Sequence, residues 1–130
     1  MAHPTDKPTY KIRLKKGDTV GLISPASKSL ERFEYQISEE LVSALGLMPK
    51  RGQFVGKDYG YLAAKDKERA ADVNAMFADK SVKAVMAVRG GWGCARILPY
   101  LDYDLIRANP KPLIGYSDIT ALHLALQAKA

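Results

Sequence analysis

Two kinds of apolar pattern alternate along the chain. Residues 19–24 (Thr-Val-Gly-Leu-Ile-Ser) and 82–88 (Val-Lys-Ala-Val-Met-Ala-Val) are β-prone and almost continuously apolar, as strands buried on both faces require. Residues 112–115 (Pro-Leu-Ile-Gly) form a third, shorter run, and residues 47–55 a weaker one broken by Pro49 and Gly52. Between them apolar residues recur at three- and four-residue steps, the spacing of one helix face. Leu30, Phe33, Ile37, Leu41 and Leu45 form one stripe, with Ser27 or Ser29 as its N-cap and Gly46 placed for a left-handed C-cap. Ala70, Val73 and Phe77 mark a second helix, capped by Asp66, and Ile119, Leu122, Ala125 and Leu126 a last one. A short helix over residues 95–101 is limited by Pro99, and another turn over 104–108 is closed by Asn109-Pro110. Residues 56–64, with Gly60 between Tyr59 and Tyr61, read as a loop.

Strands alternating with helices predict an α/β fold, a parallel sheet with helices on both faces and right-handed crossovers. The runs at 19–24, 82–88 and 112–115 are expected to be neighbouring parallel strands. Ligands gather at the carboxyl ends of such strands. Three loops lie there: residues 24–27, 89–93 and 115–118.

A length of 130 residues suits one domain, and 47% hydrophobic with 26% charged residues is globular composition. No apolar run approaches the roughly 18 to 20 residues that span a bilayer, and residues 1–16 are too polar and basic for a signal peptide. The expected location is the cytoplasm. The single Cys94 and two histidines exclude an internal disulfide and argue against a structural zinc site. Net charge is +6, which invites a nucleic-acid reading. The excess sits partly in a leading arm (Lys7, Lys11, Arg13, Lys15, Lys16), and elsewhere bases mix with acids, as in Lys65-Asp66-Lys67-Glu68-Arg69. No zinc-finger or RNA-recognition spacing is present, so these charges are expected to be a solvated surface, and neither nucleic acid nor membrane is expected as a partner.

Two loops have chemical potential. Gly115-Tyr116-Ser117-Asp118 stands between a short strand and a helix, the placement of a nucleophile elbow, where a tight turn lifts a serine hydroxyl above the sheet edge. The usual second glycine, two residues past the serine, is Ile119 here. A serine before a helix is also the common N-cap, and spacing favours that reading. In Arg89-Gly90-Gly91-Trp92-Gly93 the glycines allow a close backbone approach and can turn N–H groups toward an anion, while Arg89 could grip a carboxylate. A dinucleotide fingerprint fails, because Arg96 stands where the third glycine belongs. A plain tight turn accounts for these glycines equally well.

Taken together, Val20-Gly21-Leu22-Ile23-Ser24-Pro25-Ala26, Arg89-Gly90-Gly91-Trp92-Gly93, Asp102-Tyr103, Pro110-Lys111-Pro112 and Gly115-Tyr116-Ser117-Asp118-Ile119-Thr120-Ala121-Leu122 resemble the LD-carboxypeptidases, in order and through almost the whole chain. That resemblance implies a flavodoxin-like N-terminal domain, spanning 1–130, of a two-domain serine peptidase. It implies Ser117 as nucleophile, backbone N–H groups of Gly91 and Asp118 as oxyanion hole, and Arg89, Gly90 and Trp92 as substrate contacts. The reaction implied is hydrolysis of the amide to a terminal D-amino acid, releasing D-alanine from murein tetrapeptide in cell-wall recycling. No metal or cofactor is implied, and the family is generally dimeric. Its histidine and glutamate come from a C-terminal domain, which this chain does not contain.

The local histidines do not replace them. His123 lies six residues beyond Ser117, about 9 Å along a helix, and reads as a helix residue flanking the apolar stripe. His3 lies in the leading arm. Chain 1–130 is therefore expected to be inactive alone. Two other classes remain open: a non-catalytic anion- or nucleotide-binding α/β module using residues 89–93, and a self-associating domain. Cys94, Met76 and Met86 read as core, and Asp102 and Asp104 as helix-start residues.

Overall fold

A computed structural model describes residues 12–31 and 33–130; His3, Lys7 and Lys11 lie outside the described residues. Four strands, β1 (Thr19–Ile23), β2 (Met48–Arg51), β3 (Val82–Ala87) and β4 (Leu113–Ile114), form one sheet in the order β2-β1-β3-β4. Every pairing is parallel. The three clear apolar runs are therefore neighbours as expected, and the weak run supplies the short edge strand β2.

Two apolar clusters sit on opposite faces of the sheet. Val20 and Leu22 of β1 and Ala84 of β3 pack on one side with Val42. Ile23, Val82 and Val85 pack on the other with Ala70, Val73, Phe77, Ile97, Ile106, Ile119 and Leu122. The side-chain alternation of β1 thus feeds both cores, which is why its sequence is apolar without a break. Helix α1 (Glu34–Ala44) covers the first face. Helices α2 (Asp66–Ala78), α3 (Tyr103–Ala108) and α4 (Thr120–Lys129), with a 3-10 segment at Cys94–Tyr100, cover the second. The fold is α/β, doubly covered, with the flavodoxin-like strand order 2-1-3-4.

Several local expectations need correction. The stripe of α1 does not face the core: Leu30, Phe33, Ile37, Leu41 and Leu45 are 55 to 73% exposed, and Val42 is the one buried α1 residue. Polar anchors set this rotation. Arg51 of β2 bonds Glu39 at 2.8 Å and lies 4.4 Å from the Tyr35 ring centroid, drawing that side of the helix down onto β2. Ile37 and Leu30 are left beside an open groove of about 470 Å³, shared with Val88, Gly115 and Tyr116. Neither Ser27 nor Ser29 caps α1, whose N-cap is Phe33, while Gly46 does take the expected positive φ (79°). Asp66 is the first residue of α2 rather than its cap. Asp102 caps α3 by accepting the Leu105 N–H.

The largest correction is Arg69. It belongs to a charge run expected to be solvated, yet it is 1% exposed. Its guanidinium donates to the carbonyls of Ala64 (3.0 Å), Gly93 (2.9 Å) and Pro25, and to the carboxylate of Asp66. The loops after β1 and β3 and the start of α2 are thereby fastened to one group. Burial pushes the Asp66 carboxyl up, but hydrogen bonds from Arg96 and Arg69 outweigh it and hold the group below its ordinary value.

Arg69→Met would strip the Pro25 and Ala64 carbonyls of this buried donor and leave the Gly93 carbonyl and the Asp66 carboxylate to Arg96, a cost on the order of 3–5 kcal/mol in urea denaturation at neutral pH. Because Asp66 titrates lower in the folded state, its contribution is complete above the unfolded carboxyl value near 3.9 and is lost as pH falls through that range. The wild-type chain should therefore lose more stability than the variant between about pH 5 and pH 3.

Candidate active site

The carboxyl ends of β1, β3 and β4 bring together the three loops singled out in the sequence. After β4 the chain passes through Gly115 and an extended Tyr116 and turns sharply at Ser117, which begins a 3-10 turn, Ser117–Ile119, leading straight into α4. Ser117 has φ +60°, the one positive φ among described non-glycine residues. A left-handed backbone is strained for a residue with a Cβ, so the surrounding strand and helix must impose it. The residue is exposed, and its hydroxyl makes no hydrogen bond among the described residues. It does not cap α4, whose N-cap position is Ile119 without a side-chain cap. The serine-cap reading favoured by spacing is therefore excluded, and the strand, strained turn and helix of an elbow are present despite Ile119 in place of the second glycine.

The loop after β3 lies directly against this turn. A Cβ added to Gly90 would stand 3.1 Å from Ser117 Cβ and 3.3 Å from the Asp118 backbone nitrogen, a gap that only a glycine fits comfortably. Gly91 has φ +98°, and a Cβ there would collide with the Ser27 hydroxyl. Ser27 explains this packing. Its N–H donates to the Gly90 carbonyl (3.2 Å), and its Oγ accepts the Trp92 N–H (2.9 Å). Beyond Trp92, the Cys94 N–H donates to Asp118 Oδ2 at 2.8 Å. Ser117, Asp118, Gly90 and Gly91 are thus gathered at one point of the sheet edge.

Other candidates are placed differently. The Arg89 guanidinium donates to the Lys28 carbonyl at 2.9 Å, so one of its nitrogens is already engaged. Trp92 is 74% exposed and does not pack over the strand ends. Tyr59 and Tyr61 are exposed, in a loop where Ser27 and Tyr59 each bridge to Leu62. Cys94 is fully buried, and burial together with the neighbouring Asp118 carboxylate pushes its thiol up to about 11, so it is chemically quiet. His123 lies on α4 with its Nε2 buried and without a hydrogen-bond partner among the described residues.

Sequence reading missed three supports of this site. Ser27 figured there only as a helix cap, and Asp118 only through its backbone N–H. Arg69 gave one usable signal: its position, one turn before Val73 and beside Ala70, falls on the buried stripe of α2.

Comparison with known proteins bears on the family and the fold. The model of the LD-carboxypeptidase N-terminal domain matches residues 20–130. The probable murein peptide carboxypeptidase of Bacillus subtilis is 47% identical over 117 residues, covering 87% of this chain and 35% of that protein. The murein tetrapeptide carboxypeptidase of Pseudomonas aeruginosa is 36% identical over 104 residues, covering 79% and 34%. Among solved structures, an MccF-like protein from Bacillus anthracis superposes with a TM-score of 0.83 at 35% identity, over 89% of this chain and 36% of that one. With that match over an α/β sheet edge bearing a strained serine, the chain belongs to the LD-carboxypeptidase family. It spans about a third of the length of the curated relatives it matches.

The clash between a Gly91 side chain and Ser27 makes a double-mutant test possible. Gly91→Ala is expected to destabilise the fold by about 1–3 kcal/mol, from positive φ and the collision together. Ser27→Gly removes both colliding atoms, the Oγ and the Cβ that would stand 2.7 Å from the new methyl, so in thermal denaturation the double variant should cost less than the two single losses added. Additive losses would show that the two residues do not interlock.

Proposed function

We propose that residues 1–130 are the nucleophile-bearing N-terminal domain of a serine-type LD-carboxypeptidase acting on murein tetrapeptide in the cytoplasm. The observation that supports this most is Ser117 at φ +60°, exposed at the sheet edge with Gly90 packed against it. In this reading Ser117 Oγ attacks the carbonyl preceding the terminal D-alanine. The backbone N–H groups of Gly91 and Asp118 stabilise the oxyanion, D-alanine leaves, and water releases the acyl group. Arg89, which bonds Lys28 through one guanidinium nitrogen, meets the terminal carboxylate through the rest of its fork, while Gly90 and Trp92 line the substrate.

The base is supplied from elsewhere. A histidine and glutamate of a C-terminal domain complete the triad in this proposal, and the whole enzyme works as a homodimer. Without a base the serine is a weak nucleophile, and loss of a triad partner lowers turnover by several orders of magnitude.

D-alanine release separates the parts of this reading. Chain 1–130 alone should release none from a murein tetrapeptide. The protein continued through its second domain should turn it over, and Ser117→Ala in that longer protein should abolish turnover. The serine makes no cap bond here, so the fold should lose at most about 0.5 kcal/mol. Turnover by the short chain would refute the missing base, and turnover surviving Ser117→Ala would refute the nucleophile.

A further inference from the structure

The two proposed oxyanion donors follow different strands. Gly91 follows β3 and Asp118 follows β4, so the distance between their N–H groups depends on how the two loops are held together. Such a pair is useful only if fixed to within about half an ångström of its working geometry.

The bonds around residues 89–94 fall into two groups. Ser27 ties Gly90 and Trp92 toward the loop after β1, and Arg69 ties Gly93 toward α2. Neither reaches the Ser117 turn. The hydrogen bond that does is from the Cys94 N–H to Asp118 Oδ2, at 2.8 Å. It joins the residue next to Ser117 to the far end of the glycine loop, around a fully buried Cys94. Apart from it, this end of the loop meets the Ser117 turn and α4 through apolar packing of Cys94 and Ile97 with Ile119 and Leu122, which is non-directional and fixes no register.

From this arrangement we infer that the Asp118 side chain is a positioning residue, holding the glycine loop in register with the Ser117 turn so that the Gly91 and Asp118 N–H groups converge on one point. The inference rests on the proposed function of this site. It assigns the carboxylate a task that depends on its acceptor oxygen and not on its charge. A carboxylate acting only through the α4 dipole would depend on the charge instead.

Asparagine and alanine separate the two. Asp118→Asn keeps an oxygen that can accept the Cys94 N–H and removes the charge; Asp118→Ala removes both. In the full-length enzyme, D-alanine release from murein tetrapeptide should show kcat reduced about 10- to 100-fold by alanine with KM within about twofold, and most of that loss recovered by asparagine. Amide exchange at Cys94, read by NMR without reference to activity, should quicken in the alanine variant and stay slow in the asparagine one. Asparagine falling as far as alanine, alanine leaving kcat intact, or unchanged Cys94 exchange in the alanine variant would each overturn the inference. If alanine prevents folding, asparagine alone decides: a slow Cys94 amide and substantial kcat support positioning, whereas loss of either rejects it. Full activity in Ser117→Ala would remove the proposed function itself, and the Cys94 exchange would still report whether the clamp exists.

Discussion

Arg69 is a cation with almost no access to water, and the carboxyl edge of the sheet is assembled on it. Its planar fork of donors reaches carbonyls on three separate segments, at Pro25, Ala64 and Gly93, with Asp66 closing the charge. A lysine could not serve the same partners, because its three donors share one nitrogen, whereas Nε, Nη1 and Nη2 of Arg69 reach separate groups. The desolvation this requires is large, so the arrangement is poor evidence for stability as such. What it supplies is a fixed relation between loops that leave the sheet from different strands.

On that base the two faces of the site are set by short-range rules. Ser27 shapes the glycine loop from below through the Gly90 carbonyl and the Trp92 N–H. The Ser117 turn is shaped by the strand before it and the helix after it, which together impose a backbone that serine would not adopt alone. Glycine at position 90 removes the one atom that would hold the loops apart. The chemistry proposed here therefore draws on residues whose side chains never meet the substrate.

Much of the fold could be read from the chain because its strands are apolar on both faces and leave few alternatives. The runs around Val20, Val85 and Leu113 could hardly be placed elsewhere than side by side, and the loops that follow them could only meet at one edge. The helices were less legible. Leu41 and Val42 are adjacent and similar in sequence, yet one is exposed and the other buried, and the difference comes from the Glu39–Arg51 pair and the ring of Tyr35. Periodicity records which residues share a face, not which face a neighbour will claim. Arg69 escaped for a related reason: a charge run reads as solvated unless the carbonyls waiting for one member are known. At the site, the positions of Ser117 and the glycines followed from motif placement, whereas the backbone strain at Ser117 and the Cys94–Asp118 bond depend on distances no spacing encodes.

The outward stripe of α1 governs how this polypeptide behaves when handled. Five large apolar side chains, Ile37 and Leu41 on α1 with Leu30, Phe33 and Leu45 flanking it, present water with an apolar surface that borders an open groove at Leu30 and Ile37. With a net charge of +6, dilute low-salt solutions keep such molecules apart by mutual repulsion. Added salt screens that repulsion while strengthening apolar attraction, so the same surface turns adhesive as ionic strength rises. Colloidal behaviour, and not only catalysis, is thus written into the way one helix is rolled against its sheet.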